Sequence, residues 1–248
     1  MSKSDKMHTA GSGGDKSPSI SVFFPCYNEA ANVKRVVKQA IDVLEGLGAD
    51  FEVIIVDDGS GDGTRELADE IAAQNRSVKV VHHPRNLGYG AALQSGFGAA
   101  TKDLVFYTDG DGQFDIKEMP ALLPLMDQYD IISCYRINRQ DNIIRKINAW
   151  CWTRLVNMLF RMRIRDIDCA FKLYKRKIFD QIQMSSTGAL IDTEILARAK
   201  QKGYTIAQRP VHHYPRTAGK QTGANIKVIL RAFRELLGLY KKIRTSGS

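Results

Sequence analysis

One pattern recurs along the first half of this chain. An apolar, β-prone run stops in a polar, glycine-rich turn, and a helix-forming stretch follows. The runs are Ser19 to Phe24, halted at Pro25, then Phe51 to Val56, Val78 to His82, Leu104 to Thr108 and Asp130 to Cys134. Helical periodicity fills the gaps at Glu29 to Leu47, Thr64 to Ala73 and Ala91 to Ala100, and in a segment interrupted by Pro120 and Pro124. Such β-α alternation predicts an α/β fold, a Rossmann-like and mostly parallel sheet flanked by helices. The near-continuous apolar run Phe51 to Val56 fits a strand covered on both faces.

The second half is more basic. It reads as a helix over Asn142 to Met162, a short strand at Phe171 to Tyr174, a helix at Leu190 to Lys202 and a strand at Tyr204 to His212. A Gly/Lys/Thr-rich loop, Tyr214 to Ala224, then precedes a last helix, Asn225 to Arg244. The expected organisation is a disordered tail over 1–18, a catalytic domain over 19–224, and a basic amphipathic helix with its tail over 225–248. The tail MSKSDKMHTAGSGGDKSP lacks the apolar stretch of a secretion signal.

The segment LVFYTDGDGQ carries the most chemistry. A buried strand delivers Asp109 and Asp111 onto a glycine-flexible turn, with Gln113 beside them. Ligands bind at the carboxyl ends of strands in open α/β sheets. Two carboxylates and an amide carbonyl are hard oxygen ligands suited to Mg²⁺ or Mn²⁺, which in turn grip phosphate oxygens. A solvated Asp/Gly turn is the bland alternative for this segment alone.

Three more motifs fall at strand ends. They are Pro25-Cys26-Tyr27-Asn28-Glu29, the Asp57-Asp58-Gly59 turn running to Thr64, and Asn86-Leu87-Gly88-Tyr89-Gly90. Singly, each could be a helix cap or a tight turn. Together on one edge they predict a nucleotide-phosphate site with a bound metal, helix N-termini included. The chain has neither a Walker A lysine motif nor a GxGxxG after its first strand, so carboxylates and metal must replace the usual glycine cradle.

SVFFPCYNEAANV, IIVDDGSGDGT, NLGYGAALQSG and TDGDGQ, in that order, resemble glycosyltransferase family 2 with its GT-A fold. Within it they resemble the branch of dolichol-phosphate mannose synthase and bacterial polyprenyl-phosphate glycosyltransferases. The resemblance spans roughly Ser19 to Ile243 and implies metal-dependent, inverting transfer from a nucleoside-diphosphate sugar donor to a polyprenyl-phosphate acceptor. By position, Pro25, Tyr27 and Glu29 would line the nucleotide pocket. Asp57 would bind the base or ribose, supported by Asp58, with Asn86 and Gly88 beside the nucleotide. Asp109, Asp111 and Gln113 would hold Mg²⁺ or Mn²⁺ against the diphosphate. Arg136 and Arg145 would grip the acceptor phosphate, as arginine forks do well.

Asp166 and Lys172 fit the family's D-x-x-C/S-G-F-R/K segment, with Ala170 in place of its glycine. Asp192 and Glu194 resemble an acidic motif, in which Asp192 would position a sugar hydroxyl. Arg216, Gly219 and Lys220 lie in the counterpart of a donor-closing loop, although GKQTG departs from the commoner G-x-S-K. Asn148 and Ala149 stand where the family often has a serine one turn after the Arg145 position.

Charge and cysteine usage set the context. There are 36 Lys and Arg against 27 Asp and Glu, a formal net charge of +9. That excess suggests an anionic partner (nucleic acid, acidic lipid or a phosphorylated substrate), with simple solubility charge as the alternative. No aromatic-bearing RNA-recognition pattern accompanies it, so nucleic acid is not expected. The polyprenyl acceptor that the resemblance implies would be met at a bilayer, so the basic amphipathic helices are expected to contact a membrane surface or a membrane-protein subunit, peripherally at the cytoplasmic face. The alternative is a core-facing stripe with a solvated basic face. Cys26, Cys134, Cys151 and Cys169 form no CxxC pair and read as free thiols. The pairs His82-His83 and His212-His213 lack the spacing of a zinc site. Three rivals remain: the same transfer onto another lipid or glycan acceptor, a noncatalytic nucleotide-sugar-binding partner of a membrane complex, and a nucleotidyltransferase.

Overall fold

A computed structural model describes residues 17–138, 143–216 and 226–245, with the side chains of 143–145 and 226–234 outside that description. Most of the expected N-terminal tail and most of the loop bearing Gly219 and Lys220 therefore fall outside the described residues.

Seven strands form one sheet among the described residues: β1 (Ser19–Cys26), β2 (Asp50–Asp57), β3 (Val78–His82), β4 (Leu104–Thr108), β5 (Ile131–Ile137), β6 (Phe171–Lys175) and β7 (Ile206–His212), in the order β3-β2-β1-β4-β6-β5-β7. The β1–β2, β1–β4, β2–β3 and β5–β7 pairs are parallel. β6 runs antiparallel to both β4 and β5. The helices are α1 (Val33–Gly46), α2 (Thr64–Gln74), α3 (Tyr89–Ala99), α4 (Ile143–Phe160), α5 (Ile191–Gln201) and α6 (Ile226–Thr245).

The central strands are apolar on both faces and buried almost throughout, as the sequence predicts for a sheet sandwiched between helices. Phe23, Phe97, Tyr107, Tyr174 and Phe179 interlock across the α3-facing side. Phe97 packs edge-on to Phe23 with ring centroids 4.9 Å apart and stacks on Phe179 at 4.0 Å.

The structure corrects the expected boundaries in three places. Pro25 lies within β1, paired with Val56. The β1–β4 pairing ends at Phe23, so the missing N–H of Pro25 faces a side with no ladder to complete. The proline-interrupted helix is a 3₁₀ helix over Ile116–Asp127, where Pro120 and Pro124 cannot donate the α-helical bonds. The first helix begins at Val33, because 29–32 form a turn closed by Glu29 O.

The two basic helices differ in what they cover. On α6, Leu236, Leu239 and Ile243 are buried, while Leu237 is 58% exposed. The described part of that helix thus packs a core-facing stripe, and Tyr240 meets Phe160 of α4 at 5.8 Å. On α4, Thr153 and Val156 face inward, and Ile147, Trp150 and Met158 are exposed at 53%, 61% and 70%. No helix among the described residues is long and apolar enough to cross a membrane.

Candidate active site

The strand order places the site. From β1 the chain steps outward through β2 to β3, then returns to place β4 on the other side of β1. The strand order therefore reverses between β1 and β4, and the loops leaving these two strands open a crevice at the sheet's carboxyl edge. The loop after β1 carries Tyr27, Asn28 and Glu29, and the loop after β4 carries Asp109 to Gln113.

The Asp-Gly-Asp turn is held tightly against β1. Gly110 N–H reaches Pro25 O at 3.4 Å, and a Cβ on Gly110 would lie 2.5 Å from Cys26 Sγ. Only glycine lets the turn come this close. Burial, followed by the charge of Asp111, pushes the Asp109 carboxyl up to about 7. Asp111 is raised as well, chiefly by burial, against hydrogen bonding from Gln113 N–H and the charges of Arg216 and Arg35. Two crowded carboxylates that resist ionising together are chemically suited to a divalent cation. No group of three or more His, Cys, Asp or Glu side chains is placed to hold a metal among the described residues. This donor set suits Mg²⁺ or Mn²⁺, which typically take one or two carboxylates and complete their shell with phosphate and water.

The segment after β7 crosses in front of this turn. Tyr214 N–H donates to Gln113 O at 2.8 Å, and the Gln113 side-chain amide donates back to Tyr214 O at 2.9 Å. The strap brings Arg216 onto Glu29, with which it forms an ion pair, and to 3.8 Å from Asp111. Burial raises the Glu29 carboxyl, partly offset by hydrogen bonding from Asn32 and by Arg216. Arg35 of α1 lies against Gly112, a second cation beside the turn that sequence reading missed.

The β2 turn is stitched to the β1 loop. Asn28 N–H donates to Ser60 Oγ at 3.0 Å, Gly61 N–H to Asn28 Oδ1 at 2.9 Å, and Ala30 N–H to Asp62 at 3.1 Å. Asp57 sits beneath the turn with no exposed side-chain surface. One of its oxygens accepts Ser60 N–H at 2.9 Å, and the other meets Arg65 at 3.2 Å and His82 at 2.9 Å. Burial pushes Asp57 up, but these partners outweigh it and hold the carboxyl below its ordinary value. Asp58 accepts Leu87 N–H at 2.8 Å and Gly88 N–H at 3.0 Å, with His83 at 2.6 Å. It therefore fixes the loop that leads into α3. Tyr27 and Asn86 are exposed beside the crevice, and Pro25 is buried at its floor.

The start of α3 differs from the expected anion site. Gly90 and Ala91 N–H donate to the carbonyl of Thr187 at 2.9 and 3.3 Å. A Cβ on Gly90 would lie 2.4 Å from Ser186 O. A protein carbonyl thus takes the place that an anion would have occupied at this helix N-terminus. The 185–188 loop is anchored in turn by buried Glu194, which accepts the backbone N–H groups of Ser185 and Ser186 at 2.9 and 2.7 Å and pairs with Arg198 at 2.9 Å.

Three expected site residues are engaged by other side chains. Arg136 grips Asp166 bidentately at 2.7 and 2.8 Å, so its fork is filled by a carboxylate. Asp192 is buried, pairs with fully buried Lys172 at 2.8 Å, and accepts the Tyr107 hydroxyl. These pairings join residues 20 to 85 positions apart and leave no trace in local sequence. The Arg145 side chain and Lys220 lie outside the described residues.

A family model described as glycosyl transferase family 2 matches residues 21–183. The glycosyltransferase AglD of Haloferax volcanii is 32% identical over 234 residues. That match covers 90% of this chain and 36% of AglD, so the chain spans about a third of that relative's length. Among solved structures, glucosyl-3-phosphoglycerate synthase from Mycobacterium tuberculosis, in complex with Mn²⁺, UDP and glucosyl-3-phosphoglycerate, has a TM-score of 0.69 at 18% identity, covering 91% of this chain and 80% of that one. The same enzyme in complex with Mg²⁺ and UDP gives 0.67 at 17% identity, covering 91% and 79%. These likenesses carry the expected GT-A fold, a mostly parallel sheet with the four motifs at the carboxyl ends of β1, β2, β3 and β4. With the ordered motifs inside the matched span and a close relative along nearly the whole chain, the protein belongs to glycosyl transferase family 2.

Proposed function

We propose that this chain transfers a sugar from a nucleoside-diphosphate sugar to a polyprenyl phosphate at the cytoplasmic face of a membrane, with inversion at the sugar. The observation that carries the reading is the crowded Asp109–Asp111 pair at the switch point, faced by Arg216. Mg²⁺ or Mn²⁺ held by Asp109 and Asp111, with Gln113 alongside, would neutralise charge on the departing nucleoside diphosphate. Tyr27 and Glu29 flank the nucleotide, and the Asp57 and Asp58 turn, with Asn86 and Gly88, gives its pocket a rigid wall. Arg216 exchanges its carboxylate partners for diphosphate oxygens when the donor binds, and Lys220, four positions later in sequence, is a second cation for the diphosphate.

A phosphate acceptor is already anionic, so it needs alignment and desolvation more than a strong base. Arg145 serves as its cation at the start of α4. The Arg136–Asp166 pair fixes the segment leading to β6, and Asp192 supports the site from within. The exposed Ile147, Trp150 and Met158 on α4, interleaved with Lys146, Arg154 and Arg161, fit an anionic membrane surface or a membrane-protein subunit.

A second reading takes a small phosphorylated acceptor. It is favoured by two structural neighbours that were solved with phosphoglyceric acid or glucosyl-3-phosphoglycerate. Offering labelled donor together with a short polyprenyl phosphate and 3-phosphoglycerate separates the two. The proposal expects label in the organic phase, in a product of inverted anomeric configuration. Label confined to the phosphoglycerate product would replace the acceptor.

A further inference from the structure

Tyr89 lies between two glycines of the Asn86–Gly90 motif, at the first residue of α3, and its hydroxyl donates to Asp109 Oδ1 at 3.1 Å. We infer that Tyr89 is a positioning residue for the metal site: it fixes one oxygen of Asp109 and so presents Oδ2 toward the cation. The inference rests on the metal role proposed above for Asp109. Among the described residues, Oδ2 of Asp109 takes no hydrogen bond.

The backbone around Tyr89 is restrained from both sides. Before it, Leu87 and Gly88 N–H are held by the Asp58 carboxylate. After it, Gly90 and Ala91 N–H are held by Thr187 O. The close approach of the 185–188 carbonyls excludes a side chain at Gly90. A tyrosine clamped in this way delivers its hydroxyl to one place, which is what a ligand-orienting group requires.

Behind it lies a second layer. Lys172 Nζ donates to Asp192 at 2.8 Å and to the Tyr107 hydroxyl at 3.1 Å, and the Tyr107 hydroxyl donates to Asp192. Tyr107 and Tyr89 lie within electrostatic reach of each other. An ionised carboxylate oxygen can only accept, so the Tyr89 hydroxyl is the donor in its contact with Asp109. This arrangement also accounts for two motifs whose glycines and acids had seemed to concern the nucleotide alone.

The test is Mn²⁺ binding in the presence of UDP or GDP, read from the electron paramagnetic resonance signal of free and bound Mn²⁺. Tyr89→Phe keeps the ring and removes the hydroxyl. It should weaken Mn²⁺ binding roughly tenfold, the scale of one hydrogen bond to a charged acceptor, and alter the line shape of bound Mn²⁺. Tyr107→Phe should change both in the same direction by a smaller factor. Wild-type affinity and line shape in Tyr89→Phe would overturn the role of Tyr89 alone. A wild-type protein that binds nucleotide but no Mn²⁺ would overturn the metal reading and this inference with it.

Discussion

Asp109 and Asp111 repel each other across a turn pressed onto β1, and the repulsion has a pH signature. The folded Asp109 value is about 7 against an ordinary 3.8. A carboxyl raised by folding adds stability that is fully present below its unfolded value. That contribution is lost as pH rises through the folded one, here between about 4 and about 7. A divalent cation bound to the pair offsets the loss. The rise in Tm produced by Mn²⁺ and nucleotide should therefore be larger near pH 8 than near pH 5.5, read by differential scanning calorimetry. An equal rise at both would remove the pair from the metal site. Asp-Gly-Asp was legible in sequence because its chemistry is local. Arg136 and Asp166 were not legible as a pair, since a bidentate contact across 30 residues has no local signature. Tyr89 went unread because its neighbouring glycines explained the motif without it.

At the scale of elements, the strand-turn-helix alternation located the seven strands and six α-helices of the described residues to within a few residues, but not the short 3₁₀ helix at Arg176–Ile178. The misplacements had physical causes. Pro25 is tolerated where β1 has lost its β4 neighbour, and two prolines convert the helix after β4 into 3₁₀ turns. The antiparallel direction of β6 could not be read, because a short apolar run carries no direction. The 185–188 loop also lacked a sequence signal, yet it joins α3 to α5 through Glu194. That side chain is fully buried and balanced by Arg198 and two backbone N–H groups. Glu194→Ala should cost about 3 kcal/mol, because it leaves Arg198 buried without its partner. A urea midpoint shifted to lower concentration at unchanged slope would show this. A midpoint equal to that of the wild type would mean that the loop is held by other contacts.

For the whole molecule, the net charge of +9 fits an anionic partner or simple solubility alike, and it does not say where a partner would dock. The structure distinguishes the two basic helices: α6 buries Leu236, Leu239 and Ile243, whereas α4 turns Ile147, Trp150 and Met158 outward. The combined change Trp150→Asp and Met158→Asp should lower binding to anionic liposomes severalfold, measured by flotation, and leave Tm close to that of the wild type. Undiminished flotation would move the membrane contact away from α4. Metal-dependent sugar transfer in the β1/β4 crevice is open to a single assay. A panel of labelled GDP- and UDP-sugars is incubated with Mn²⁺ or Mg²⁺ and a short polyprenyl phosphate, using wild type and Asp111→Asn. Labelled lipid is expected from one donor, abolished by chelation and reduced at least about 10²-fold in the variant. Equal transfer by wild type and Asp111→Asn, or transfer undiminished by chelation, would contradict metal-dependent transfer.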